Sequence, residues 1–119
     1  MSLLLVSPTR FGKTQWARSL GTHFYMCGLF NLDDFNGDAS YGVFDDFTCD
    51  SIKYSYKQRM GCQQQFTLTD KYRKKRTVQW GKPCIFLMNN PIYTELKHTL
   101  DWDWVEQNTA IVILTNKLY

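Results

Sequence analysis

Short apolar runs recur along the chain, and each ends in polar or glycine-bearing residues. Residues 3–6, "LLLV", are continuous and apolar, which predicts a buried strand. Residues 7–12 carry proline and glycine and read as a loop. "TQWARSL", residues 14–20, is rich in helix formers, and Gly21 behind it predicts a helix stop. "HFYM" at 23–26 predicts a short strand, and "NLDDFNGD" at 31–38 a polar turn region. "YGVFDD" at 41–46 reads as a strand that ends in paired carboxylates, and "SIKYSYKQRMG" at 51–61 as a helix closed by Gly61. "QQFTLT" and "KRTVQW" alternate around a charged centre, the pattern of a β-hairpin with a basic tip. "PCIFLMNN" at 83–90 is a further buried strand ending in amides. "TELKHTLDWDWVEQ" at 94–107 is helical in character, and "AIVIL" at 110–114 closes the series as a strand.

Continuous apolar strands interspersed with helices predict an α/β fold: a mostly parallel sheet with helices on both faces, and a β-hairpin insertion. In such sheets ligands bind at the carboxyl ends of the strands. "SPTRFGKT", the acids of "YGVFDD" and the amides of "PCIFLMNN" all fall at that kind of position.

The length of 119 residues suits one domain, taken as residues 1–119, and the 44% hydrophobic and 16% aromatic content supports a folded core rather than disorder. No apolar run approaches the roughly 20 residues of a membrane-spanning helix, so no membrane association is expected. "MSLLLV" is too short and lacks the basic start of a secretory signal. The cysteines Cys27, Cys49, Cys62 and Cys84 have neither zinc-like spacing nor the context of a disulfide scaffold, and read as reduced thiols. The net charge of +3 is mild, but its distribution is uneven. Asp33, Asp34, Asp38, Asp45, Asp46 and Asp50 crowd one stretch, and Lys71, Arg73, Lys74, Lys75 and Arg76 another. The first suits a metal and the second a polyanion.

"SPTRFGKT" differs from the phosphate-loop pattern G-x-x-x-x-G-K-[S/T] only in Ser7, which stands at the first glycine. Such a loop works because backbone N–H groups and a helix N-terminus point at the phosphates. Ser7, Pro8, Thr9, Arg10, Phe11, Gly12, Lys13 and Thr14 are therefore the candidate phosphate-binding residues. Lys13 suits the β- and γ-phosphates, and the Thr14 hydroxyl suits Mg²⁺. Serine is compatible with the first position if its φ stays negative. A nucleoside triphosphatase also needs an acid at the end of a neighbouring strand: Asp45 is assigned to the metal, Asp46 to polarising the attacking water. Asn89 reads either as an amide touching γ-phosphate and water or as a strand-ending turn residue in "NNP". The basic segment reads either as a solvated face or nuclear import signal, or as a contact to the DNA backbone. Tyr72 within it is suited to stack on a base or to pack beneath the hairpin, and Lys57 and Lys82 flank the track. Trp16, Trp80, Trp102 and Trp104 read as core or interface residues.

These elements, in this order, resemble superfamily 3 helicases, and more narrowly the helicase domain of replication initiator (Rep) proteins of circular single-stranded DNA viruses, the geminiviruses and genomoviruses above all. The resemblance rests on "SPTRFGKTQWARSLG", on "YGVFDDF" as a Walker B strand, on "CIFLMNN" as motif C, and on "YKQRMGCQQQFTLTDKYRKKRTVQWGKP" as the intervening segment. It covers essentially the whole chain. It implies a P-loop NTPase core of the ASCE/AAA+ type with strand order 5-1-4-3-2, which sets the motif C strand between the other two. It implies ATP and Mg²⁺ as cofactors and Asn89, rather than Asn90, as the γ-phosphate sensor. It also implies a loop centred on residues 71–76 that tracks single-stranded DNA inside a hexameric ring, and action in the host nucleus. The resulting expectation is the ATP-hydrolysing helicase domain of a viral rolling-circle replication initiator, without the N-terminal HUH endonuclease and oligomerisation segments. The alternative is a nucleotide-binding interaction module that does not hydrolyse. No arginine follows Arg76 in the sequence, so no arginine finger is assigned.

Overall fold

The computed structural model describes residues 2–8, 12–28, 35–48, 52, 56, 60, 65–69, 75–79 and 81–114, with the backbone alone for 65–69 and 75–79. The chain runs β1 (Ser2–Val6), α1 (Lys13–Arg18), β2 (His23–Cys27), β3 (Tyr41–Asp45), β4 (Gln65–Thr69), β5 (Lys75–Gln79) and β6 (Cys84–Met88). It ends with α2 (Asn90–Thr99), α3 (Trp102–Asn108) and β7 (Thr109–Ile113). Between β3 and β4, Ile52, Tyr56 and Met60 are helical, in line with the helix expected over 51–61; the other residues of that stretch lie outside the described ones.

β2, β3, β6, β1 and β7 form, in that order, a five-stranded sheet in which every pairing is parallel. Numbered among themselves, these strands read 5-1-4-3-2 from the β7 edge, the order the resemblance implies. β6 lies between β1 and β3, with Val6 opposite Met88 and Asp45 opposite Leu87. Apart from Ser2 and Asp45 at their ends, β1, β3 and β6 are largely apolar because both faces are covered. On one face Leu4, Val6, Phe24, Met26, Phe44, Phe86 and Met88 pack with Leu96 of α2, Val105 of α3, Ile52 and Met60. On the other, Leu5, Tyr41, Val43, Ile85 and Leu87 pack with Ala17 of α1. Helices on both faces are thus observed, and Trp16, Trp102 and Trp104 pack against these cores as expected.

Phe44 is the aromatic centre. It stacks on Phe86 (4.9 Å between centroids, 21° between planes) and meets Phe24 and Phe47 edge-on. Such pairs add about 0.5–1.5 kcal/mol each beyond their burial.

The expected β-hairpin is present: β4 and β5 pair antiparallel, Thr69 opposite Lys75, as a separate two-stranded sheet. Residues 70–74 lie outside the described ones. The helical stretch expected over 94–107 divides into α2 and α3 at Leu100 and Asp101, where the Asp101 carboxylate accepts the Trp104 N–H and so starts a second helix. Among the described residues no helix is long and apolar enough to cross a membrane. Cys27 and Cys84 are free thiols, and Cys49 and Cys62 lie outside the described residues.

Gly42 has no room for a side chain: a Cβ there would lie 2.2 Å from Phe24 Cζ. Phe24 is itself held by Phe35 and Phe44 and has little room to yield. Gly42→Ala is expected to cost about 1–3 kcal/mol in urea unfolding, the range for overpacking. Gly42→Ala combined with Phe24→Leu should recover part of that loss; equal stability of wild type and Gly42→Ala would refute the packing account.

Candidate functional site

The carboxyl ends of β1, β3 and β6 open onto one cleft of about 380 Å³, lined by Gly12, Lys13, Thr14, Gln15, Cys27, Asp45, Asp46, Leu87, Met88 and Asn89. Residues from four separate parts of the sequence meet here because β6 pairs with both β1 and β3, and β3 with β2.

The loop after β1 begins at Ser7, which is fully buried; its N–H donates to the Met88 carbonyl (3.1 Å) and its hydroxyl to the Pro8 carbonyl (3.1 Å). Asp46 alone has a positive φ among the described non-glycine residues, so Ser7 occupies the first loop position in a conformation open to any L-residue. Gly12, in contrast, has φ 80°, where a side chain is disfavoured, and it stands at the N-cap of α1 with no side chain closing that end. The first N–H groups of the helix are left for another acceptor. Lys13 reaches back over the loop, its ammonium 3.4 Å from the Ser7 carbonyl. Pro8 is described but does not line the cleft, and Thr9, Arg10 and Phe11 lie outside the described residues.

Asp45, the last residue of β3, is 9% exposed. Thr14 Oγ1 donates to its Oδ2 at 2.9 Å, and Tyr25 Oη donates to the same oxygen at 2.7 Å. Burial first, then the bond to Asp45, push the Tyr25 phenol above its ordinary range, so it remains a protonated donor at neutral pH. Consecutive strand residues point to opposite faces. The adjacent acids nevertheless both line the cleft, because the backbone at Asp46 turns left-handed (φ 57°) and leaves the strand.

Asn89 has extended backbone and caps α2: its Oδ1 accepts the Ile92 N–H at 3.2 Å, with Pro91 in the first turn. Asn89 thus follows the strand, starts a helix and lines the cleft. The carbonyl oxygen starts a helix, and that use assigns the amide NH₂ as the group left to donate in the cleft.

Tyr25 and Cys27 were not anticipated at this site. No local sequence signal marks them: they border the acid because β2 pairs with β3, Cys27 opposite Asp45. Of the basic segment, Lys75 and Arg76 begin β5, and Lys71, Tyr72, Arg73 and Lys74 lie outside the described residues. Lys82 donates through its ammonium to the carbonyls of Gly37 (2.7 Å) and Ala39 (2.8 Å). Lys57 lies outside the described residues.

Among the described residues no group of three or more His, Cys, Asp and Glu is placed to hold a metal. A small hard cation that keeps several waters needs only one or two carboxylates or hydroxyls besides phosphate oxygens. Thr14 and Asp45 meet that requirement: a hydroxyl that donates its proton to Asp45 keeps its lone pairs for a cation.

No protein-family model matches the chain. Curated proteins do. The chain is 39% identical over 105 residues to the replication-associated protein of Tobacco yellow dwarf virus, and 42% identical over 88 residues to that of Bean yellow dwarf virus. It is 40% identical over 111 residues to the protein of the same name from Maize streak virus genotype E. These matches cover 88%, 74% and 91% of the chain. Its homologues are replication-associated proteins of geminiviruses. The chain spans 26–28% of the length of these relatives.

The cap at Asn89 separates stability from chemistry. Asn89→Ala is expected to lose about 1 kcal/mol by thermal or urea unfolding, the usual loss on removing an N-cap. Asn89→Asp keeps the capping oxygen and should unfold with the wild type while lacking the amide donor.

Proposed function

We propose that this chain is a P-loop ATPase domain of a viral replication initiator, a superfamily 3 helicase core that hydrolyses ATP with Mg²⁺ and moves on single-stranded DNA. One observation carries the reading: Lys13, Thr14, Asp45, Asp46 and Asn89, supplied by three strand ends, share one cleft in which Thr14 and Asp45 are already hydrogen-bonded. The similarity to geminivirus replication-associated proteins supports a setting in viral replication; action in the host nucleus is part of the proposal.

Each residue then has a task. The loop from Ser7 to Thr14 and the uncapped start of α1 bind the phosphates through backbone N–H groups, with Gly12 allowing close approach. Lys13 swings from the Ser7 carbonyl to the β- and γ-phosphates, exchanging a weak contact for a charge-assisted one. Thr14 and Asp45 hold the cation, which when bound neutralises charge developing between the β- and γ-phosphates. Asp46 orients the attacking water for in-line displacement, and the Asn89 amide senses the γ-phosphate. The basic tip of the hairpin, Lys71 to Arg76 with Tyr72 among the charges, contacts the DNA backbone in a hexameric ring.

The reading is tested by phosphate release from ATP with and without single-stranded DNA, at protein concentrations that allow rings to assemble. Turnover stimulated by DNA and lost in Lys13→Ala is expected. Tight ATP binding with no turnover would instead favour a nucleotide-binding interaction module. The DNA contact has its own signature. Replacing Arg73, Lys74 and Lys75 by Gln should lower the slope of log affinity against log salt by about 2, given roughly 0.7 per phosphate contact on single strands. An unchanged slope would remove the hairpin from the DNA-binding surface.

A further inference from the structure

Two hydroxyls donate to one oxygen of Asp45, and only one of them belongs to the phosphate loop. Thr14 approaches Oδ2 from α1; Tyr25 approaches it from β2, the edge strand beyond β3. Asp45 Oδ1 has no hydrogen-bond partner among the described residues, and Asp45 lines the cleft. We propose that Tyr25 is a positioning residue for the cation site: it clamps Oδ2 of Asp45 so that Oδ1 is presented to the water shell of the nucleotide-bound Mg²⁺. This rests on the nucleotide reading above.

The need for a clamp follows from the side chain itself. The terminal torsion of an aspartate is broad and roughly two-fold, so rotamer preference alone does not fix where its oxygens point. A single donor leaves the carboxylate free to rock about that bond. A second donor from a different direction removes the freedom. Register makes the second donor available: Tyr25 pairs with Val43, two residues before Asp45 on the same face, and a phenol is long enough to span that step.

Tyr25 is in turn held. The Arg18 guanidinium lies 4.2 Å from the centroid of its ring, a cation–π distance, and Arg18 Nε donates to His23 Nε2 at 3.3 Å. Arg18 is in the last turn of α1, the helix that begins at the phosphate loop. Both ends of α1 therefore act on the same carboxylate, Thr14 directly and Arg18 through the ring of Tyr25.

The test uses the full 119-residue chain and a ribose-labelled fluorescent ATP analogue. Its affinity is measured in EDTA, and the Mg²⁺ concentration for half-maximal tightening is measured separately. Tyr25→Phe keeps the ring and its contact with Arg18 and removes only the donor. It is expected to raise the Mg²⁺ half-saturation about tenfold, the size of a lost hydrogen bond to a charged group. Affinity in EDTA should stay at the wild-type value, while the unliganded melting temperature falls modestly with loss of a bond to a buried carboxylate. An unchanged Mg²⁺ half-saturation overturns the proposal, as does a parallel loss of affinity in EDTA, which would mark a general structural role. Should Tyr25→Phe fail to fold, Arg18→Gln takes its place. It frees the ring while keeping the phenol, and is expected to raise the half-saturation about threefold, in line with loss of one exposed cation–π contact; no change overturns the proposal. Binding by wild type that is lost in Lys13→Ala secures the nucleotide reading independently. Absence of binding by wild type would sink both.

Discussion

The constraint on which the rest depends is the parallel pairing of β6 with β1 on one side and β3 on the other. Parallel strands bring all their carboxyl ends to one edge of the sheet, so whatever polar residues follow them must meet there. Val6, Asp45 and Met88 end neighbouring strands. The residues that come next or close the strand are the phosphate-type loop, the paired acids and the capping asparagine. Had β6 lain at an edge, Asn89 would stand apart from either the loop or the acids.

Burial pays for this arrangement and also shapes its chemistry. The central strands are apolar on both faces, and the Phe44–Phe86 stack with Phe24 and Phe47 ties β2, β3 and β6 together beneath the cleft. At the rim the same burial makes Asp45 depend on donors: a carboxylate 9% exposed must have its lost water replaced. Thr14 and Tyr25 supply that replacement, and by placing both bonds on one oxygen they leave the other for a ligand.

Rigid and adaptable parts of the site are thus separable. Asn89 is locked by its role as a helix cap, Asp45 by two hydroxyls, and Ser7 by burial and its bond to Met88. Lys13 is held only by a 3.4 Å contact to a carbonyl, and Asp46 is exposed at a left-handed turn. Under the proposed function, the residues that would move toward a phosphate or a water are thus lightly restrained ones. The hairpin strands β4 and β5 form their own two-stranded sheet, separate from the five-stranded sheet that positions the cleft.

The sequence by itself determined the elements whose causes are local. A continuous apolar run followed by proline, glycine and lysine specified β1, a loop and α1. Alternation around a basic centre specified the hairpin, and acids or amides at strand ends marked the edge where ligands bind. What only the tertiary structure decided depends on residues far apart in the chain. The negative-φ seat of Ser7 is set by its contact with Met88, and the reach of Tyr25 to Asp45 by the neighbouring register of β2 and β3. The capture of Lys82 by Gly37 and Ala39 needs a loop that passes beside it. The break between α2 and α3 shows the same limit at short range: helix propensity runs on through residues 100 and 101, but Leu100 must reach the core and Asp101 can cap a new helix, and packing outweighs propensity. Propensity and pattern act within a few residues, whereas a hydrogen bond between groups 20 or 31 positions apart exists only once the sheet has chosen its strand order.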